Sequence, residues 1–249
     1  MPGLTAVIIT LNEAAHIEAC LDSVAFADER IVIDSGSTDG TPDLARAKGA
    51  RVETRAWPGY GAQKNAAAGL ASHDWILSVD ADERVTPALA AEIRATLESP
   101  AHAGYRMPRV AFHLGRWIRT TDWYPDFQLR LYDRRRGRWK PSLVHESVTI
   151  DGASGTLHGE LQHYAYRDIA HHLETINKYT TLAASQMHAA GRRAGFADLA
   201  LHPPAAFLRN YVLRRGIADG MPGLIISVMN THYVFLKFAK LWALERGTG

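Results

Sequence analysis

The chain has 249 residues, 47% of them apolar and 22% charged, which supplies a full hydrophobic core and excludes an intrinsically disordered chain. Its single cysteine, Cys20, excludes a disulfide framework or a cysteine zinc cluster and fits a reducing compartment. Net charge is only +2, and no apolar run reaches the roughly 18 residues of a membrane span. Leu4 to Thr10 is predicted as a β-branched apolar strand, and Leu11-Asn12-Glu13 leads from it into a helix near Ala14–Ser23. This strand begins almost at once, leaving no room for a signal peptide, so the expected location is cytoplasmic. Arg30 to Asp34 is a second strand, closed by Ser35-Gly36-Ser37-Thr38-Asp39-Gly40, and Pro42 opens a helix to about Lys48. Arg51–Thr54 is a third strand, Lys64 to Ala71 an alanine-rich helix, and Trp75–Val79 a fourth strand. Strand and helix alternate with short connections, which predicts a mostly parallel, Rossmann-like α/β sheet.

Beyond Pro100 the expected strands are short: Gly104–Val110, Phe127–Asp133 and Glu146–Ile150. After His163 the pattern turns helical, with Leu173, Ile176, Thr180, Ala183 and Met187 on one stripe. Pro203-Pro204 is expected to separate that helix from a last one, in which Ile225, Val228, His232, Phe235, Ala239 and Trp242 share a face. The expected division is a catalytic domain over 1–165 and a C-terminal helical extension over 166–249. Charge is divided too: residues 1–100 hold 8 basic and 15 acidic side chains, whereas Arg106 to Lys140 carries 10 basic residues against three aspartates. That asymmetry suits a polyanionic ligand or an anionic membrane surface, and the absence of any recognition motif argues against nucleic acid.

A buried parallel strand delivers the residues after it to the carboxyl edge of the sheet, where α/β proteins bind ligands. Three such ends carry acids or amides: Asn12-Glu13, Asp34 and Asp80-Ala81-Asp82. Carboxylates at i and i+2 of an extended segment point the same way and can hold a divalent cation, which can in turn hold a diphosphate. The same pair could instead cap the helix that opens at Thr86-Pro87.

The motifs occur in a fixed order: Thr10-Leu11-Asn12-Glu13, then Asp34 to Thr41, Gln63-Lys64-Asn65, Asp80-Ala81-Asp82-Glu83 and Gln128-Leu129-Arg130-Leu131-Tyr132. From about residue 4 to residue 165 this series resembles the inverting family 2 glycosyltransferases of the GT-A fold. Val144-His145-Glu146 with Leu161-Gln162-His163-Tyr164 is similar to their lipopolysaccharide core β-1,4-glucosyltransferase subgroup.

The resemblance implies a nucleotide-sugar donor, glucose carried on UDP, and a glycolipid or saccharide acceptor. It places Thr10, Asn12, Glu13, Asp34, Lys64, Asn65 and Asp80 around the nucleotide, with Glu13 at the ribose and Asp34 at the uracil N–H. Arg130 would meet a phosphate. Asp82, with Asp80 and a late histidine, His163, would hold Mg²⁺ or Mn²⁺. Glu146 matches the general base and Asp126 is its rival. The family usually has arginine where Lys64 stands, which loosens that assignment.

Transfer onto a polyisoprenyl phosphate is a neighbouring reading, and a non-catalytic nucleotide-sugar-binding protein is the reading from another class. A phosphatase of the haloacid dehalogenase type wants its aspartate pair on an early strand, and a nucleotidyltransferase wants a glycine-rich phosphate loop after the first strand. Neither pattern is found. Phe207, Tyr211, Phe235 and Trp242, near Arg209, Arg214, Arg215, Lys237 and Lys240, are expected either to meet a membrane from its cytoplasmic side or to pack against protein.

Overall fold

A computed structural model describes residues 2–140 and 147–247. The strands are β1 (Leu4–Thr10), β2 (Glu29–Asp34), β3 (Arg51–Thr54), β4 (Trp75–Asp80), β5 (Glu83–Val85), β6 (Gly104–His113), β7 (Arg116–Ile118), β8 (Asp126–Asp133), β9 (Gly137–Trp139), β10 (Val148–Ile150), β11 (Gly155–Thr156) and β12 (Leu161–His163). The helices are α1 (Ile17–Ser23), α2 (Thr41–Ala47), α3 (Tyr60–Leu70), α4 (Pro87–Glu98), α5 (Ile169–Ala189), α6 (Phe196–Leu208) and α7 (Gly220–Glu245). The chain divides into two compact units, one of residues 1–109 and 126–163, the other of 110–125 and 164–249. Segment 110–125, placed by the sequence reading with residues 1–165, groups with residues 164–249.

In the first unit the sheet runs β3-β2-β1-β4-β8-β6. β3, β2, β1 and β4 are parallel, and β8 and β6 add antiparallel to them. All seven residues of β1 are buried, because a central parallel strand is covered on both faces. Alternation splits its side chains: Leu4, Ala6 and Ile8 join a core with α1, α2 and α4, while Val7 joins Ile31, Ile33, Ala67 and Ala68 under α3. Thr86 caps α4 by accepting the Leu89 N–H at 3.2 Å, and Pro87 fills its first turn. The aspartate motif therefore leads into a capped helix as well as into a site.

The second unit differs from expectation in three places. Pro203 and Pro204 lie inside α6. Proline's fixed φ is helical, so the helix continues at the cost of two N–H donors and then widens into a π turn at Arg209–Leu213. On α5 the inward face is His172, Ile176, Thr180 and Ala184, and Leu173 is exposed. On α7 the inward residues are Gly223, Ile226, Ser227, Met229, Phe238 and Leu241, whereas Val228, Phe235 and Trp242 are exposed. Close backbone approach decides that face: a Cβ on Gly223 would stand 1.9 Å from the Gly216 carbonyl oxygen.

Candidate active site

The parallel register puts Thr10 beside Asp34 and Ile9 beside Asp80, so β1, β2 and β4 end together at one edge. Asp34 is 1% exposed. Its Oδ2 accepts the Gly36 and Ser37 N–H groups at 2.9 Å, and its Oδ1 accepts from the Ser37 hydroxyl. In this arrangement the carboxylate holds its own turn. Asn12, at φ 57°, accepts the Thr38 N–H at 2.9 Å, and its own N–H donates to the Ser37 hydroxyl at 2.8 Å. The Glu13 N–H donates to Thr41 Oγ1 at 2.9 Å, so the loops after β1 and β2 are laced into one rim. Thr10 Oγ1 is buried and has no hydrogen-bond partner among the described residues.

At the end of β4 the two aspartates have different fates. Asp80 Oδ1 lies 2.8 Å from Lys64 Nζ, and its Oδ2 lies 2.6 Å from Arg130 Nη2. Burial pushes its pKa up, but Arg130 and Lys64 outweigh that and hold it well below the usual carboxylate range. The ion pairs continue: Arg130 also meets Glu83 at 2.7 Å, Glu83 meets Arg109 at 3.1 Å, and Arg109 meets Asp126 at 2.7 Å. Three carboxylates thus face three cations. Glu83, wholly buried, is the hub, and it also accepts the Asp80 N–H at 3.0 Å.

Asp82 stands outside this balance. Its Oδ2 lies 3.3 Å from His163 Nε2, and no lysine or arginine pairs with it among the described residues. Burial raises its pKa, while the hydrogen bond and charge of His163 lower it, and the net shift is down. The pairing of His163 with Glu83 between β12 and β5 brings the histidine there from eighty residues on. Two donors on neighbouring positions of an octahedral ion bound at about 2.1 Å lie about 3 Å apart, so this pair fits a divalent cation. Among the described residues no group of three or more His, Cys, Asp or Glu side chains could hold a metal. Two protein donors leave the remaining positions of such an ion to other oxygen ligands.

Several expected ligand contacts are instead internal. Asn65 is locked to the Trp139 backbone by two hydrogen bonds of 2.9 Å. Arg130 and Lys64, 2% and 4% exposed, are spent on Asp80, and Lys64 also lies 4.3 Å over the Trp139 ring. Asp80 is held by cations, whereas Asp82 and His163 face each other outside that pairing. Asp126 receives Arg109 at 2.7 Å and Gln128 Nε2 at 2.7 Å, which engages both oxygens of the rival base. Glu146 lies outside the described residues. Sequence reasoning gave no role to Glu83, although it completes the acidic motif, and missed Arg109, which nothing local marks.

A family model for glycosyl transferase family 2 matches residues 5–151. The chain belongs to this family. Over 248 residues it is 34% identical to the lipopolysaccharide core biosynthesis glycosyltransferase LpsC of Rhizobium meliloti, covering 96% of this chain and 92% of that protein. An uncharacterized glycosyltransferase of Rickettsia bellii is 31% identical, covering 97% of this chain and 87% of its own. Among solved structures, the mannosyltransferase PcManGT of Pyrobaculum calidifontis, in complex with GDP-Man and Mn²⁺, superposes with a TM-score of 0.56 at 17% identity, covering 96% of this chain and 87% of that one. That likeness shows the fold: an α/β, GT-A-like mixed sheet flanked by helices, with a C-terminal helical region. The chain is a glycosyltransferase in a lineage that includes a lipopolysaccharide core enzyme.

Proposed function

We propose that this glycosyltransferase moves glucose from UDP-glucose to a lipopolysaccharide-core glycolipid, inverting the anomeric carbon, at the cytoplasmic face of the inner membrane. The observation that carries the reading is the division between Asp80, neutralised by Lys64 and Arg130, and Asp82, paired at 3.3 Å with His163 and without a lysine or arginine partner among the described residues. When bound there, a divalent cation supplies an electrophile for the leaving diphosphate. Lys64 and Arg130 fix Asp80 and so hold the β4 turn that presents Asp82. Asn12 and Glu13, on the laced rim, face the ribose side of the donor.

The second requirement is a base for the acceptor hydroxyl. Asp126 is bonded by Arg109 and Gln128, and the family resemblance assigns the role to Glu146. Glu146→Gln should keep donor binding and lower the transfer rate by roughly two to four orders of magnitude. A dead Asp126→Asn beside an active Glu146→Gln would reverse that assignment. The reading as a whole is tested by presenting UDP- and GDP-sugars with a core glycolipid, with and without Mn²⁺. UDP release and a β-linked glucoside by NMR support it; an α-linked product or undiminished turnover without metal overturns the mechanism.

A further inference from the structure

The second unit contains a segment built inside out. Between Leu208 and Met221 the buried residues are Asn210, Gly216 and Asp219. Leu208, Val212, Leu213, Ile217 and Met221 are exposed, Leu213 at 76% and Met221 at 67%. Single exposed leucines are ordinary, but five large apolar side chains turned outward from one short segment are not.

This is no frayed end. Asn210 Oδ1 accepts the Asp122 N–H at 2.9 Å and Asn230 Nδ2 at 3.0 Å, while its Nδ2 donates to the Ala206 carbonyl at 3.0 Å. Asp219 accepts from Thr120 Oγ1 at 2.6 Å and pairs with Arg116 at 2.9 Å. The Thr121 N–H donates to the Arg214 carbonyl at 3.0 Å. Polar groups bolt the backbone from within, and the apolar side chains are held outward. That is the arrangement of an element made for an apolar medium.

Its charge identifies the medium. Arg209, Arg214 and Arg215 interleave with the apolar side chains and are exposed. Among the described residues Asp122 pairs with Arg209 and Arg214, and the segment's own Asp219 is buried and engaged by Arg116. A two-fold contact between copies would set this arginine cluster against itself. An anionic bilayer surface instead takes leucines into its acyl boundary and guanidinium groups among its phosphates. No helix among the described residues is long and apolar enough to cross a membrane, so contact of this kind lies in the interface. We infer that residues 208–221 form a membrane-docking ridge that inserts Leu213, Ile217 and Met221 into an anionic lipid surface. The inference does not rest on the transfer reaction, because lipid binding is read without substrate.

The test is flotation of the full chain with vesicles of phosphatidylcholine alone or with about one-third phosphatidylglycerol. Wild type should float with the anionic vesicles and weaken several-fold as salt rises from about 0.05 to 0.5 M. Leu213→Asp/Ile217→Asp should lower partitioning by about tenfold or more, the effect of losing two inserted side chains, with an unchanged melting temperature. Because Cys20 is buried, a Leu213→Cys variant can be labelled singly with an environment-sensitive dye. The dye should shift to the blue on vesicles, and the same dye at Asp43→Cys, on the exposed face of α2, should not. Wild-type flotation by the double variant overturns the inference. So does a wild type that ignores vesicles and forms a dimer that the double variant breaks. Vesicle binding without sugar transfer would sink the proposed reaction and leave the ridge standing.

Discussion

Glu83 fixes its neighbours more than any other side chain at the strand edge. It is wholly buried between Arg109 and Arg130, so neutralising it removes the carboxylate they share and leaves two close guanidinium groups with one acidic partner each, Asp126 and Asp80. Glu83→Gln should cost about 3–5 kcal/mol, read as a lowered urea midpoint. Asp82→Asn should behave oppositely: transfer is lost, while stability changes by about 1 kcal/mol or less because, among the described residues, its ion-pair partner is His163 and no lysine or arginine is bonded to it. Equal destabilisation by the two variants would show that Asp82 belongs to the structural network. The pair Asp80 and Asp82 was legible in the sequence because spacing i, i+2 after an apolar strand sends both carboxylates one way. Their division was not, since Arg130 arrives from β8 and His163 from β12, and long-range pairing leaves no local mark.

Whole elements were legible where burial on both faces forces a continuous apolar run, as in β1 and β4, and less so in the second unit, whose interior is partly polar. His113 and His172 lie buried there with ring centroids 5.1 Å apart, among Trp123 and Tyr166. Burial, together with the neighbouring His113 and His171, pushes the His172 pKa down to about 4. A histidine lowered in the fold is neutral there, so the unfolded chain binds the extra proton between its ordinary value and about 4. Stability from this group is complete above pH 6.5 and lost as pH falls toward 4, by about 2–3 kcal/mol. Melting temperatures from pH 7 to 4 should fall, and His172→Phe should flatten that slope. An unchanged slope would assign the loss to other groups. The apolar stripe of α5 pointed to Leu173 because periodicity counts hydrophobicity, whereas the fold buries His172 one position earlier.

At the scale of the molecule, the interleaving of the two units was illegible because a short excursion such as 110–125 carries no composition of its own. The acidic strand ends and every side chain assigned to the donor lie in the first unit, so nucleotide linkage acts on that unit's stability. UDP with Mn²⁺ at about a hundred times its dissociation constant should stabilise it by about 2.7 kcal/mol, a rise of roughly 5 °C or more in melting temperature. The metal's part is separable. Lys64 and Arg130 are engaged by Asp80, which leaves them little charge for a diphosphate, so EDTA or Asp82→Asn should remove most of the shift. If UDP alone gives the full rise in EDTA, the phosphates are held by these cations and not through Asp82. The metal-assisted reading would then fail while the family membership stood, since it rests on residues 5–151 as a whole and not on this carboxylate.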